Sequence, residues 1–277
     1  MRSPWTWLHI LLFGVALSDG TGCGGERLRL GDGTAAEDVI TGGLAGQGGN
    51  TGGRATGGDT ATGGSTGGAV SATGGSPEPA CEQGQTRGEE VLWIGDSWIT
   101  IPGTQLTRVA EHARDAGALG ANENYWTEAV AGKGIAEIRQ QYERRQSGPI
   151  KVKVLIMDGG TWDTIWEMGS DASVAEVVDA FEQFLDKVAS DGTVEHIVYF
   201  LQPELPTIPG VAKLRPGLTR LCEASVVPCH FIDLQPIWNG NEEAYTAADS
   251  RIQASEAGAR AIADAIWGVM QDNCIAQ

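Results

Sequence analysis

Positive charge is scarce in this chain. Its 277 residues hold 19 Lys and Arg against 36 Asp and Glu, a net charge of −17. A chain this acidic lacks the basic face that a nucleic-acid footprint needs and is not drawn to anionic lipid surfaces. The acidity serves solubility instead. Histidine is scarcer still: His9, His112, His196 and His230 are the full set. Few imidazoles are therefore on hand to move a proton or bind a metal. The acids show no metal-ligand spacing, so neither a metal nor a cofactor is expected. The apolar run from Trp5 to Leu17, weakened by His9, is too short to stay in a bilayer as a spanning helix.

With Arg2 ahead of it, that run reads as a secretory signal over residues 1–22. It ends in Gly20-Thr21-Gly22-Cys23-Gly24. Small residues before a cysteine resemble a bacterial lipoprotein cleavage box, although Gly20 stands where the box prefers leucine. The resemblance implies that Cys23 is lipidated, that the protein is exported to the cell envelope or surface, and that it meets the membrane through a lipid anchor only. Without lipidation the expectation is plain secretion. Export permits disulfides. Without Cys23, four cysteines remain, Cys81, Cys222, Cys229 and Cys274, and four allow three pairings.

Residues 23–80 cannot build a core. Thr-Gly-Gly recurs six times, starting at Thr41, Thr51, Thr56, Thr62, Thr66 and Thr73, at irregular spacing and with few apolar residues between. Glycine raises the entropic cost of ordering, so the segment reads as a disordered tether. Its root-mean-square reach is about 40 Å for about 57 residues. From Cys81 to Gln277 the composition is that of one domain with a sizeable core.

Within that domain short apolar runs alternate with helical patterns. Strands are expected at 91–95, 128–131, 152–157, 196–201 and 230–234. Helices are expected at 105–116, 135–146, 174–189, 211–224 (with Pro216 as a kink) and 255–271. Such alternation implies a parallel sheet with helices on both faces. It also sets the poles: strands end at the top, where ligands bind, and helices end at the bottom. Cys81 precedes the first strand and Cys274 follows the last helix, so both belong at the bottom. Cys222 ends one helix and Cys229 opens the next strand, again at the bottom. The expected bridges are Cys81–Cys274 and Cys222–Cys229, both structural.

The first strand carries the motif that matters. In Val91-Leu92-Trp93-Ile94-Gly95-Asp96-Ser97-Trp98, a buried run stops at a glycine and leaves Ser97 at the rim of the sheet. This block resembles the first motif of the SGNH, or GDSL-type, hydrolases. Ala129-Val130-Ala131-Gly132 resembles their second motif, and the run from Ser255-Glu256-Ala257-Gly258 to Trp267 resembles their closing helix. The resemblance covers about residues 90–270. It implies a three-layer α/β/α, flavodoxin-like domain with a parallel sheet of about five strands, acting on ester bonds. Ser97 maps to the nucleophile, and the Ser97 and Gly132 N–H groups map to oxyanion donors. Asp96, Trp98, Trp162 and Gln253 would line the substrate site.

Two blocks depart from the family. The third, normally Gly-x-Asn-Asp, reads Gly160-Thr161-Trp162-Asp163, so a tryptophan replaces the oxyanion asparagine. Loss of one such donor costs about 10²–10³ in rate. The last, normally Asp-x-x-His, reads Asp249-Ser250-Arg251-Ile252-Gln253. Counted back from the closing helix, Gln253 takes the histidine's place, and Asp249 fits the orienting acid only with a one-residue insertion. Loss of the base costs about 10⁴–10⁶. His196 and His230 begin strands at the far pole, and His112 lies about 12 Å along its helix. A carboxylate is the alternative base, from Asp249, Asp163, Asp158, Glu204 or Asp233. Trp98, Trp126, Trp162, Trp166 and Trp238 cluster near the top, as packing or as a flat surface for sugar rings. The Pro-rich stretch 203–209 forms a top loop or merely a connection. Two functions follow: a cell-surface esterase or deacetylase for a small ester or acylated carbohydrate, or a domain that lost the chemistry and binds a carbohydrate or a protein. A monomer is expected.

Overall fold

The computed structural model describes Cys81 and residues 86–276, apart from 166–168 and 209. The signal, Cys23, the tether, Trp166 and Pro209 lie outside the described residues. Five strands, β1 (Val91–Ile94), β2 (Trp126–Thr127), β3 (Val154–Met157), β4 (His196–Leu201) and β5 (Cys229–Asp233), form one sheet in the order β2-β1-β3-β4-β5. Every pairing is parallel. This is the flavodoxin-like strand order, whose switch point lies beside β1. β1 and β3 are four-residue apolar runs buried throughout, as strands covered on both faces must be.

The longer helices are α2 (Thr104–Asp115), α3 (Ile135–Gln146), α5 (Asp171–Asp191), α6 (Val211–Ala224) and α9 (Glu256–Asp272). α2 packs on α9, while α5 packs between α3 and α6. Four short helices add to these: α1 (Ser97–Thr100), α4 (Thr161–Ile165), α7 (Gln235–Trp238) and α8 (Glu242–Tyr245). None is long enough to show a period in sequence. α5 starts three residues ahead of the expected helix because the Ser170 hydroxyl caps it, accepting the Ser173 N–H at 3.1 Å. Ser255 caps α9 the same way through the Gly258 N–H. The second strand corrects the expected 128–131. It lies at Trp126–Thr127, and residues 128 and 130 only extend its ladder through N–H bonds to the Trp93 and Gly95 carbonyls.

Cys81–Cys274 and Cys222–Cys229 are bonded, with Cα separations of 5.2 and 5.1 Å. The first closes a span of 193 residues and the second a span of 7. Loop-closure entropy makes the long bridge worth about 5 kcal/mol and the short one about 2. Replacing Cys81 and Cys274 by serine should therefore lower the calorimetric Tm clearly more than replacing Cys222 and Cys229. An equal drop would contradict this. Among the described residues no helix is long and apolar enough to cross a membrane.

Candidate active site around Ser97

β1 runs out at Gly95, whose φ of 149° is a conformation other residues avoid. Its backbone is held on both sides by one buried amide: Gln141 Oε1 accepts the Gly95 N–H at 2.8 Å, and Gln141 Nε2 donates to the Gly95 carbonyl at 3.0 Å. Because Ile94 pairs with Met157 in register, the residues just past both strands lie side by side. Asp158 Oδ1 accepts the Asp96 N–H at 2.8 Å. Asp96 caps α1, its carboxylate accepting the Trp98 N–H at 2.9 Å. Ser97 is then the first residue of that helix.

The Ser97 hydroxyl has one partner of each kind. Its oxygen accepts from Gln253 Nε2 at 2.9 Å, and it donates toward Asp96 Oδ1 at 3.5 Å. Ser97 and Gln253 are each 8% exposed. The loop after α8 delivers Gln253. A bridge between Thr246 and Ala254 closes that loop, the Ala247 N–H bonds the Gln253 carbonyl, and Ser250 Oγ accepts the Gln253 N–H. Trp98 Nε1 donates to the Ile252 carbonyl at 2.9 Å, tying the loop to the serine's own helix. Gln253 Oε1 is buried with no partner among the described residues.

Beneath the serine sit two buried carboxyls, Asp96 (2% exposed) and Asp158 (0%). Burial, together with the Asp96 charge and the bond to the Asp96 side chain, pushes Asp158 well above the ordinary carboxylate range. Burial also raises Asp96, but bonds from Asp158, Trp98 and Ser97 favour its charged form. Two carboxyls this close share one proton, and the bonds that favour a charged Asp96 leave it on Asp158. Gln202 Nε2 reaches Asp158 Oδ2 at 3.5 Å. A raised carboxyl lends stability that is whole below the ordinary aspartate pKa of about 3.9 and is lost as pH rises through the folded value. Asp158→Asn removes that loss. Its Tm relative to wild type should climb as pH rises above about 4; a difference that stays flat with pH would contradict the shared proton.

Two solved structures share this fold. An acetyl xylan esterase aligns with a TM-score of 0.53 at 15% identity, over 65% of this chain and 98% of that one. A member of the lipolytic G-D-S-L family from Veillonella parvula aligns with a TM-score of 0.51 at 14% identity, over 65% and 96%. No family model matches the chain, and no curated protein matches its sequence. The fold is that of the GDSL-type hydrolases.

Against that fold, the remaining site residues fall into two groups. Gly132 (φ 72°) and Trp162 come together: a Cβ on Gly132 would lie 3.5 Å from Trp162 Cζ2. The half-buried indole therefore packs its six-membered ring beside this glycine. Asp163 and Asp249 stay apart from the serine hydroxyl. Asp163 Oδ2 accepts the Ile135 N–H at 3.0 Å and so caps α3; its carboxyl is raised by burial, offset by that bond. Asp249 is exposed on the turn ahead of Gln253 and bonds neither Gln253 nor Ser97 among the described residues.

The described histidines are engaged elsewhere; His9 lies outside the described residues. His112 Nε2 lies 2.7 Å from Asp264 Oδ1 and the ring stacks on Trp267. His196 Nδ1 faces His230 Nε2 at 3.3 Å. Among the described residues, the tryptophans do not form one flat surface. Trp98 and Trp238 are buried against each other, centroids 5.4 Å apart and tilted by 52°. Trp126 is exposed under the Arg145 guanidinium. In the Pro-rich loop, Leu205 and Ile208 are buried and Thr207 Oγ1 donates to the Arg251 carbonyl, so this loop braces the one that carries Gln253.

Gln141, and Asp96 as a partner of the serine hydroxyl, were not foreseen. A signal for Gln141 exists. It lies three residues after Ile138 and six after Ile135 on the buried stripe of α3, and a polar residue on an apolar stripe usually answers a buried backbone group.

Proposed function

We propose that the domain is a slow serine ester hydrolase of the GDSL-type fold, acting at the cell surface on a small ester or acylated carbohydrate. One observation carries the reading: the Ser97 hydroxyl stands past the end of β1 with a donor amide on one side and an acceptor carboxylate on the other. An amide is no base, so turnover should fall about 10⁴–10⁶ below that of a full triad. The esterase and lipolytic proteins that share the fold support an ester as substrate, and the two disulfides fit an exported protein. The reading needs neither metal nor cofactor and treats the domain as a monomer. Lipidation of Cys23 and a tether over residues 23–80 would place the domain at a distance from its membrane. Cys23→Ser should release it from the membrane fraction, and retention there would refute the anchor.

The test is hydrolysis of a short-chain nitrophenyl ester beside Ser97→Ala. The expected result is a slow rate that the variant loses; equal rates would sink the proposal for such esters. A second reading, ligand binding without turnover, rests on Gln253 Oε1. This buried acceptor has no partner among the described residues, and a bound hydroxyl would satisfy it. Among the described residues, Trp98 and Trp238 pack on each other and form no stacking surface that would favour sugar binding.

A further inference from the structure

We propose that Asp96 is the catalytic base for Ser97, with Asp158 as the positioning residue that donates the shared proton to it. The inference rests on the hydrolase reading and supplies the group that the missing histidine leaves vacant. Among the described residues, the Ser97 hydroxyl has one acceptor, Asp96 Oδ1. That carboxylate is fixed rather than free. Its own N–H is bound by Asp158 and its oxygen holds the Trp98 N–H. A carboxyl pair with almost no exposed surface is costly to fold around, and the backbone has been shaped to admit it. A Cβ on Gly95 would stand 1.7 Å from Asp158 Oδ1, so only glycine lets the second carboxyl reach the first. Asp163, Tyr199 and Gln202 also border the pair. The Tyr199 hydroxyl donates to the Gly159 carbonyl, and Asp163 is engaged by α3, so neither competes for the serine's proton.

The step balances without any further reactant. The Ser97 oxygen attacks the acyl carbon, an O–C bond forms, and the hydroxyl proton passes to Asp96 Oδ1. The alcohol's C–O bond then breaks, and the leaving oxygen takes that proton back from Asp96. Water repeats the sequence in reverse to release the acid. Throughout, the Gln253 N–H stays on the Ser97 oxygen, steadying the charge that gathers there as its proton departs.

The test is single-turnover labelling of the full chain by a fluorophosphonate, followed by intact mass across pH. Here Ser97 forms an O–P bond, fluoride leaves, and the proton again goes to Asp96. Wild type should take one adduct and Ser97→Ala none. Asp96→Asn, which keeps the helix cap, should label about 10²–10⁴-fold more slowly. Asp158→Asn, still a donor, should stay within about tenfold of wild type. Asp158→Ala should move the acid limb of the pH profile upward, because Asp96 loses the O–H that favours its charged form. If Asp96→Asn does not fold, the Asp158→Ala limb decides the matter alone. Wild type that takes no label overturns the proposal. So does Asp96→Asn labelling at the wild-type rate, and so does an acid limb that Asp158→Ala leaves in place. Failure on nitrophenyl esters with labelling intact would instead sink the hydrolase reading and leave Asp96 standing.

Discussion

Gly95→Ala should be the most damaging single methyl in the domain. The added Cβ would lie 1.7 Å from Asp158 Oδ1 and 2.7 Å from Ile99 Cδ1, at a φ of 149°. Neither neighbour has room to retreat: Asp158 is held by the Asp96 N–H, and Ile99 is fully buried. Overpacking costs about 1–3 kcal/mol and the forced backbone about as much again. Against a usual stability of about 5–15 kcal/mol, that is a large share. The expected result is a Tm lower by about 10 °C or more, together with loss of fluorophosphonate labelling. An alanine variant within about 2 °C of wild type would mean that the carboxyl pair does not sit as described.

Gln253→His should have the largest effect in the other direction. Glutamine already places Nε2 at 2.9 Å from the Ser97 oxygen, and the imidazole Nε2 stands at a similar reach from Cβ. The loop is anchored by Trp98 and by the Thr246–Ala254 bridge, neither of which the change touches. Nitrophenyl-ester hydrolysis should rise about 10²–10³-fold, toward the lower end of what a positioned base supplies. The gain stays partial because Asp249 is exposed and does not orient residue 253. The rate should acquire a limb near the imidazole pKa of about 6.5. No gain, in a variant whose Tm is unchanged, would show that more than the base is missing.

The sheet was legible because its strands are plain apolar runs. β1, β3 and β4 need no context to be recognised, and their alternation with helices set the poles from which both disulfides followed. β2 was misplaced by two residues. Ala129-Val130-Ala131 looks like strand, but the pairing with Leu92 and Trp93 begins at Trp126. Around Ser97, the motif pointed to the serine and the missing histidine pointed to Gln253, yet neither disclosed the contact itself. That contact joins residues 156 apart in sequence and depends on how the loop after α8 closes. The partnership of Asp96 with Asp158 was hidden for a related reason. It is created by strand register plus a glycine's missing side chain, and periodicity reports neither. For the tryptophans near the strand tops, packing and a stacking surface were both open; Trp98 and Trp238 follow the first, spending their rings on each other.

The most direct test of the account is neutron diffraction from deuterium-exchanged crystals. It locates the deuteron on the Ser97 oxygen and tells the nitrogen of Gln253 from its oxygen. The account predicts an ND₂ group facing the Ser97 oxygen, a Ser97 deuteron directed at Asp96 Oδ1, and a single deuteron on the Asp96–Asp158 pair, carried by Asp158. A Gln253 oxygen accepting the Ser97 deuteron, or two deuterons on the pair, would contradict it.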